Sequence, residues 1–457
     1  RDRIYQTSLI YCFNDEQSLY YIDKEFNFYA FHIPTQKNEF IANLGKEIQE
    51  RGKISSIVHY HNSYFVGFLM DGILLLEKQK ETNHYQIQSL PINSGVFCLK
   101  KDRFQDVVWI GTDGQGVYLY SNPLYSIKSM VLSNYTEKIE RPVRAIYLDD
   151  ERTFWVGTKG NGILKIYDYE FDKNISDCRA EVLTTSNSAL SSNAVYCFAK
   201  SHRNLLWIGD EEGLTYYSYR EKRIKSIPIR IGNEDFKYIH DIYETADSEL
   251  WLASVGMGVV KARIAGTPDN PVIVDAQRYI INDGELGSNY FFTIYAENEA
   301  NLLFGNKGYG VFRYNGTTNG LEPVSTHKYE NMTLNNILAI SKDSSNNYLF
   351  GTSYGLIKYT SETSYQLFNA KNGFLNNTIH AILRNSSDDF WLSTNLGLIN
   401  FDTKRNVFRS YGFGDGLKVV EFSDGAAFRD SRTGTLFFGG INGVVAIRAD
   451  GRPEQLY

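Results

Sequence analysis

The chain has 457 residues, 42% of them hydrophobic and 22% charged, so it is globular rather than disordered and too long for one ordinary core. Its net charge of −6 gives no reason to expect a nucleic-acid binder, whose footprint is a basic face, and no apolar run is long enough to cross a bilayer. With 33 Tyr and 28 Phe against 9 Pro and 4 Met, the composition favours pleated, half-buried strands and an all-β fold.

In chain order, the sequence opens on Arg1-Asp2-Arg3 with no apolar h-region of a secretory signal. That leaves open a cytosolic protein or a mature or truncated piece of an exported one. A weak strand copy surrounds Leu19-Tyr20-Tyr21-Ile22. Phe65-Val66-Gly67 then leads through Gly72 to Ile73-Leu74-Leu75-Leu76. Val108-Trp109-Ile110-Gly111-Thr112 leads through Gly116 to Val117-Tyr118-Leu119-Tyr120, and Phe154-Trp155-Val156-Gly157-Thr158 through Gly162 to Ile163-Leu164. The phrase returns at Trp207, Trp251, Phe304, Phe350, Trp391 and Phe438. The residues that close it are 67, 111, 157, 209, 253, 305, 351, 393 and 439, at steps of 44, 46, 52, 44, 52, 46, 42 and 46. Each copy adds an earlier strand, such as Val143-Arg144-Ala145-Ile146-Tyr147, and a later one, such as Val407-Phe408-Arg409-Ser410-Tyr411. Four short antiparallel strands at this period make a β-propeller blade. The aromatic packs between neighbouring blades, the first Gly leaves room for a neighbour, and the second Gly serves a tight turn.

Nine copies in register of the phrase Trp-Ile-Gly-Thr…Gly-Leu resemble the two-component regulator propeller repeat. The stretch Glu421-Phe422, Gly425-Ala426-Ala427 and Phe437-Phe438-Gly439-Gly440-Ile441-Asn442-Gly443-Val444 is similar to the last blade of that family's sensor region. The resemblance implies the periplasmic sensor of a hybrid two-component system histidine kinase from a glycan-degrading bacterium. It further implies two seven-bladed rings, followed in the full-length protein by an immunoglobulin-like domain, a membrane helix, a kinase and a response regulator. Counting seven copies back from the C-terminus reaches the blade of Trp155. Residues 137–457 are therefore expected to form a complete seven-bladed propeller, and residues 1–136 the last three blades of an incomplete N-terminal propeller. A single ring of nine or ten blades is the rival, and propellers usually have four to eight.

Enzyme constellations are scarce. There is no Gly-x-Ser-x-Gly, no His-Glu-x-x-His and no Walker loop. His59 and His61 share a strand face but lack a third metal ligand nearby. The pairs Asp149-Asp150 and Asp388-Asp389 fall in the turn before the aromatic strand, where carboxylates cap backbone. The cysteines Cys12, Cys98 and Cys197 recur at one strand position in separate blades, so all four, with Cys178, are expected to be free, small buried hydrophobes.

Ligands of propellers sit on the face where the loop between strands two and three meets the loop leading into strand one. Those loops hold Lys159, Asn161, Asp210, Glu211, Asn306, Lys307, Tyr309, Tyr354, Asn395 and Asn442, and Arg141, Arg144, Asn193, Asn289 and Tyr290. Amides and tyrosines suit hydroxyl-rich ligands, although Asn and Ser also serve turns. The expected function is a non-catalytic extracytoplasmic sensor domain for an oligosaccharide, with no cofactor and no metal. Its expected partners are that ligand, the downstream immunoglobulin-like domain and a homodimer mate, with no nucleic acid and the membrane reached only through a downstream segment. The alternatives are a propeller polysaccharide lyase or glycoside hydrolase, marked by product release, and a protein-interaction scaffold, marked by a large exposed apolar patch.

Overall fold

The computed structural model describes residues 8–79, 84–121, 125–134, 139–281, 289–324 and 335–449. Nearly all of its regular structure is antiparallel strand, arranged as small meanders. The fold is all-β and built from propeller blades. The chain divides into two compact units, Arg1–Pro123 and Leu124–Tyr457.

The second unit holds seven four-stranded sheets. Their first strands are Val143–Leu148, Val195–Lys200, Ile239–Glu244, Phe291–Asn298, Ile337–Lys342, Ala381–Arg384 and Phe422–Arg429. Each first strand neighbours the next, and the seventh neighbours the first, so the sheets close into a ring around a channel. One sheet cannot bury both of its faces, and the ring covers them all.

The repeat phrase explains the seams. Trp155, Trp207, Trp251 and Trp391 are fully buried. Trp155 packs with Ala145, Ile163 and Leu183 of its own sheet and with Val195, Leu206 and Ile208 of the next. Two residues further along its strand, Gly157 receives the next sheet. A Cβ there would stand 2.8 Å from Val195 Cγ1. The same approach recurs at Gly209 against Ile239 (2.8 Å), Gly351 against Ile379 (2.9 Å) and Gly439 against Val143 (2.5 Å). Gly162 has φ +76°, and a Cβ there would lie 2.1 Å from the Leu183 carbonyl, so the turn excludes any side chain.

Ring closure differs from the sequence expectation. The division expected between residues 136 and 137 lies outside the described residues. The strand Tyr125–Val131, which that reading assigns to the preceding blades, is the outer strand of the last sheet. It pairs antiparallel with Gly443–Ala449, from Tyr125 opposite Ala449 to Val131 opposite Gly443. The physical reason is the partner strand. Val444, Val445, Ala446 and Ile447 are buried, and a bare edge there would expose a full row of backbone donors and acceptors. Met130 is buried in the seam between the seventh and first sheets.

The first unit holds two four-stranded sheets and one of three strands, Val96–Lys101, Val108–Thr112 and Val117–Tyr120. Phe97, Trp109, Val117 and Leu119 of the third sheet are exposed. The cysteines are free thiols, but only Cys197 is buried; Cys12 and Cys98 are exposed. Cys98 and Cys197 share the expected strand position, opposite Gly111 and Gly209, but Cys12 does not: it stands opposite Tyr21, one residue further from the register shift, and so points to the other face of its strand.

Removing the closing strand tests this arrangement. A chain starting at Leu124 is expected to melt as one cooperative ring. A chain starting at residue 137, where the sequence alone would cut, is expected to melt several degrees lower or to aggregate, as read by thermal scanning and size-exclusion chromatography. Equal melting of the two would remove Tyr125–Val131 from the closure.

Candidate channel site

The first strands of five blades in the ring carry an irregularity at one place. Their pairing with the second strand skips a residue between Val143 and Ala145, Val195 and Cys197, Ile239 and Asp241, Phe291 and Thr293, and Ile337 and Ala339. The skipped residues are Arg144, Tyr196, His240, Phe292 and Leu338. In the sixth blade His380 directly precedes the strand, and its N–H donates to the Ser393 carbonyl. In the seventh the register breaks between Phe422 and Ala427, across Asp424. A bulge re-aims its side chain and is common beside functional sites. The valine or isoleucine just before the skipped residue is the one that docks on the preceding blade's glycine at Val143, Val195, Ile239, Ile337 and Ile379. The seam therefore fixes where each skipped side chain emerges.

These side chains meet one another around the channel. His380 Nδ1 lies 2.5 Å from Asp424 Oδ1, and His380 Nε2 lies 2.6 Å from Asn395 Oδ1. Arg144 Nη1 stands 4.0 Å from Asp424 Oδ2. The Arg144 guanidinium lies 5.7 Å from the Tyr196 ring centre, Tyr196 stacks on His240 at 4.4 Å, and His240 meets Phe292 edge-on at 6.0 Å. Below this ring is a cavity of about 190 Å³ lined by all seven first strands, including His240, Asp241, Phe292, Leu338 and His380.

The electrostatics follow from burial and neighbours. Burial pushes the His240 pKa down to about 3, and the Arg144 charge adds to this, so the ring is neutral at ordinary pH. Burial pushes the Asp241 carboxyl up to about 6 against the bonds it accepts from the Ile294 and Ile242 N–H groups and the Thr293 hydroxyl. For Asp424 burial acts upward, but the hydrogen bond from His380 and the neighbouring positive charge, Arg144 included, outweigh it and hold the carboxyl below its usual range.

The sequence-predicted residues divide by role. Arg144 and Asn395 are in the channel cluster; the Lys159 N–H donates to Pro142, its backbone is bridged to Ala194, and its charge adds to the depression of the His240 pKa. Asn161 accepts the Glu140 and Arg141 N–H groups, Asn193 the Thr185 N–H, and Asn289 the Ile281 N–H, so their side chains hold loops together. Arg141 is exposed beside them. Asp210 is fully buried and accepts from Ser191 and from the Glu212 and Gly213 N–H groups; burial, partly offset by the Ser191 bond, pushes it up to about 6. Glu211 accepts from the Ser192 hydroxyl at 3.3 Å. In the fourth blade Tyr290 pairs with Val255, and Lys307 lies 5.6 Å over the Tyr290 ring; Asn306 is buried and Tyr309 half-buried. Tyr354 packs in the seam between the fourth and fifth blades, and Asn442 donates to the Lys418 carbonyl.

Among the described residues no group of three His, Cys, Asp or Glu is placed to hold a metal. His59 stacks on Tyr64, and His61 pairs with Asp106 at 2.8 Å. Asp149 accepts from Thr153 N and Trp155 Nε1 at 2.8 Å each, Asp388 from Ser344, and Asp389 from Tyr125 and Asn385, so both acid pairs anchor turns and strands.

Sequence reasoning missed Tyr196, His240, Phe292, His380 and Asp424. For all but Asp424 the signal was present in the pattern Val-Arg-Ala, Val-Tyr-Cys, Ile-His-Asp, Phe-Phe-Thr, Ile-Leu-Ala and Ile-His-Ala at or just before the start of six of the seven first strands. A large residue stands there between an apolar one and a smaller one. Without the bulge it reads as a routine outward position.

No family model matches the chain. It is similar in structure to the extracellular domain of a hybrid two-component system from B. thetaiotaomicron, with 22% identity and a TM-score of 0.57, covering 95% of this chain and 61% of that one. A second such domain from the same organism is 17% identical with a TM-score of 0.55, covering 97% of this chain and 59% of its own. The chain thus spans about three fifths of the length of these domains. Virginiamycin B lyase from Staphylococcus aureus is 14% identical with a TM-score of 0.52, over 71% of this chain and 99% of the enzyme. At these identities the likeness establishes the propeller fold. Among curated proteins, translation initiation factor 6 of Saccharolobus solfataricus is 31% identical over 140 residues, which is 28% of this chain and 57% of that protein.

The buried acid in the channel gives a pH test. The folded Asp241 binds its proton more tightly than the unfolded residue, so its contribution to stability is present below about pH 4 and is lost as pH rises to about 6. Melting temperatures of Asp241→Asn relative to the unmodified protein are expected to move in the variant's favour between pH 4 and pH 7. A difference that stays constant with pH would show that Asp241 does not titrate in this window.

Proposed function

We propose that this chain is the extracytoplasmic, periplasmic sensor region of a two-component signalling protein and that its seven-bladed ring binds an oligosaccharide at the channel mouth without transforming it. The observation that carries the reading is the convergence of Arg144, Tyr196, His240, His380 and Asp424 on one mouth of a closed rigid ring. Binding sites evolve where a rigid scaffold presents variable side chains together. Aromatic faces suit sugar rings, and the amide and charged groups suit hydroxyls. The likeness to extracellular domains of two-component systems supports the signalling context. Among the described residues no helix is long and apolar enough to cross a membrane.

Signalling requires that the ligand bind one arrangement of the sensor better than another, since equal binding shifts nothing. In this reading the differential contacts are made with a downstream immunoglobulin-like domain and a dimer mate. The first unit is read as three consecutive blades of a second ring, supported by the exposed Phe97, Val117 and Leu119 of its third sheet. Its boundary with the second unit is placed ahead of Tyr125, because that strand serves the ring.

Titration calorimetry of the chain against a panel of glycan digests tests the function, with the mixtures analysed afterwards for new reducing or unsaturated ends. Heat with at least one digest and no new ends is expected. New ends would favour a propeller lyase or hydrolase, the reading that the likeness to virginiamycin B lyase keeps in view. No heat with any digest would count against the oligosaccharide.

A further inference from the structure

We propose that the channel mouth is a carboxylate site, taking a uronate ring at the end of an oligosaccharide: Arg144 and Lys159 hold the carboxylate, and the ring lies against the Tyr196–His240 stack. This rests on the oligosaccharide reading above and narrows its ligand class.

The argument starts from Arg144. Its Nε is buried with no hydrogen-bond partner, which is a costly state for a guanidinium. Its ion pair with Asp424 is loose at 4.0 Å, because Asp424 turns its other oxygen to His380 at 2.5 Å. The guanidinium is therefore left with a buried Nε that its own neighbours do not satisfy, and only a loose partner on Nη1. A planar carboxylate fills such a fork with two parallel bonds. Lys159 is exposed on the adjoining loop and adds positive charge on the same side.

Asp424 stands beside Arg144, so a ligand of higher negative charge would meet that carboxylate as well. The neutral His240 stacked under Tyr196 gives an aromatic face without a competing charge.

The test is calorimetry of the full chain with three matched disaccharides, ending in glucuronate, glucose or glucose sulfate. The uronate is expected to bind about tenfold tighter than the neutral sugar or more, the worth of one charge-assisted hydrogen-bonded contact. Arg144→Gln should abolish that preference, and Lys159→Gln should reduce it. Circular dichroism reports whether Arg144→Gln folds. If it does not, Lys159→Gln on the exposed loop decides, and an unchanged preference in that variant overturns the site. Equal binding of uronate and neutral sugar, or preference for the sulfate, also overturns it while leaving the oligosaccharide reading intact. Silence from all three disaccharides alongside heat from the wider digest panel overturns the carboxylate site alone; silence from both overturns the two together.

Discussion

The approach of one blade's first strand to the glycine of the preceding blade is the constraint on which the ring depends. At Gly157, Gly209, Gly351 and Gly439 a single added methyl would fall 2.5–2.9 Å from a valine or isoleucine of the next blade. No side chain tolerates that spacing. Overpacking a core in this way costs about 1–3 kcal/mol even when neighbours shift. Beside each glycine a Trp or Phe fills the wider part of the seam, contributing about 1.5–3 kcal/mol by its burial. Close approach and bulky filler thus set the spacing between blades together, and seven repetitions of that spacing return the last sheet to the first.

Closure then needs one long-range event. Tyr125–Val131 must find Gly443–Ala449 across more than 300 residues of chain. Loop-closure entropy grows only slowly with length, so the equilibrium cost is modest. The kinetic cost is larger, because non-local strand pairing slows folding. The reward is a ring whose last sheet has its fourth strand and whose edge is covered.

The same seam builds the channel site. The apolar residue that docks on the glycine is followed by the residue skipped in pairing, so packing on one side of the strand dictates projection on the other. Framework and ligand face are in this way separate within two consecutive residues. Val143 serves the seam and Arg144 the channel; Ile239 serves the seam and His240 the channel. The framework residue can stay fixed while its neighbour varies, giving a cationic, aromatic, imidazole or aliphatic group from blade to blade.

The repeat, the all-β fold, the aromatic seams and the number of blades in the ring were legible in the sequence, because each depends on local periodicity and on residues that recur in every copy. Arg144, Lys159 and Asn395 were also reachable, since loop position alone places them at the mouth. Tyr196, His240, His380 and Asp424 were not, because a one-residue bulge at the first two, and the irregular backbone before or within the strand at the others, leaves no mark in hydrophobic alternation. Asn161, Asn193 and Asn289 read as ligand amides, and each also accepts a backbone N–H within its loops, because an isolated sequence does not say which backbone N–H lacks a partner. The exposure of Cys12 and Cys98 and the placement of Tyr125–Val131 were likewise decided by tertiary structure. Local pattern determines what each strand is; only closure of the ring determines which strand is its neighbour and which face is enclosed.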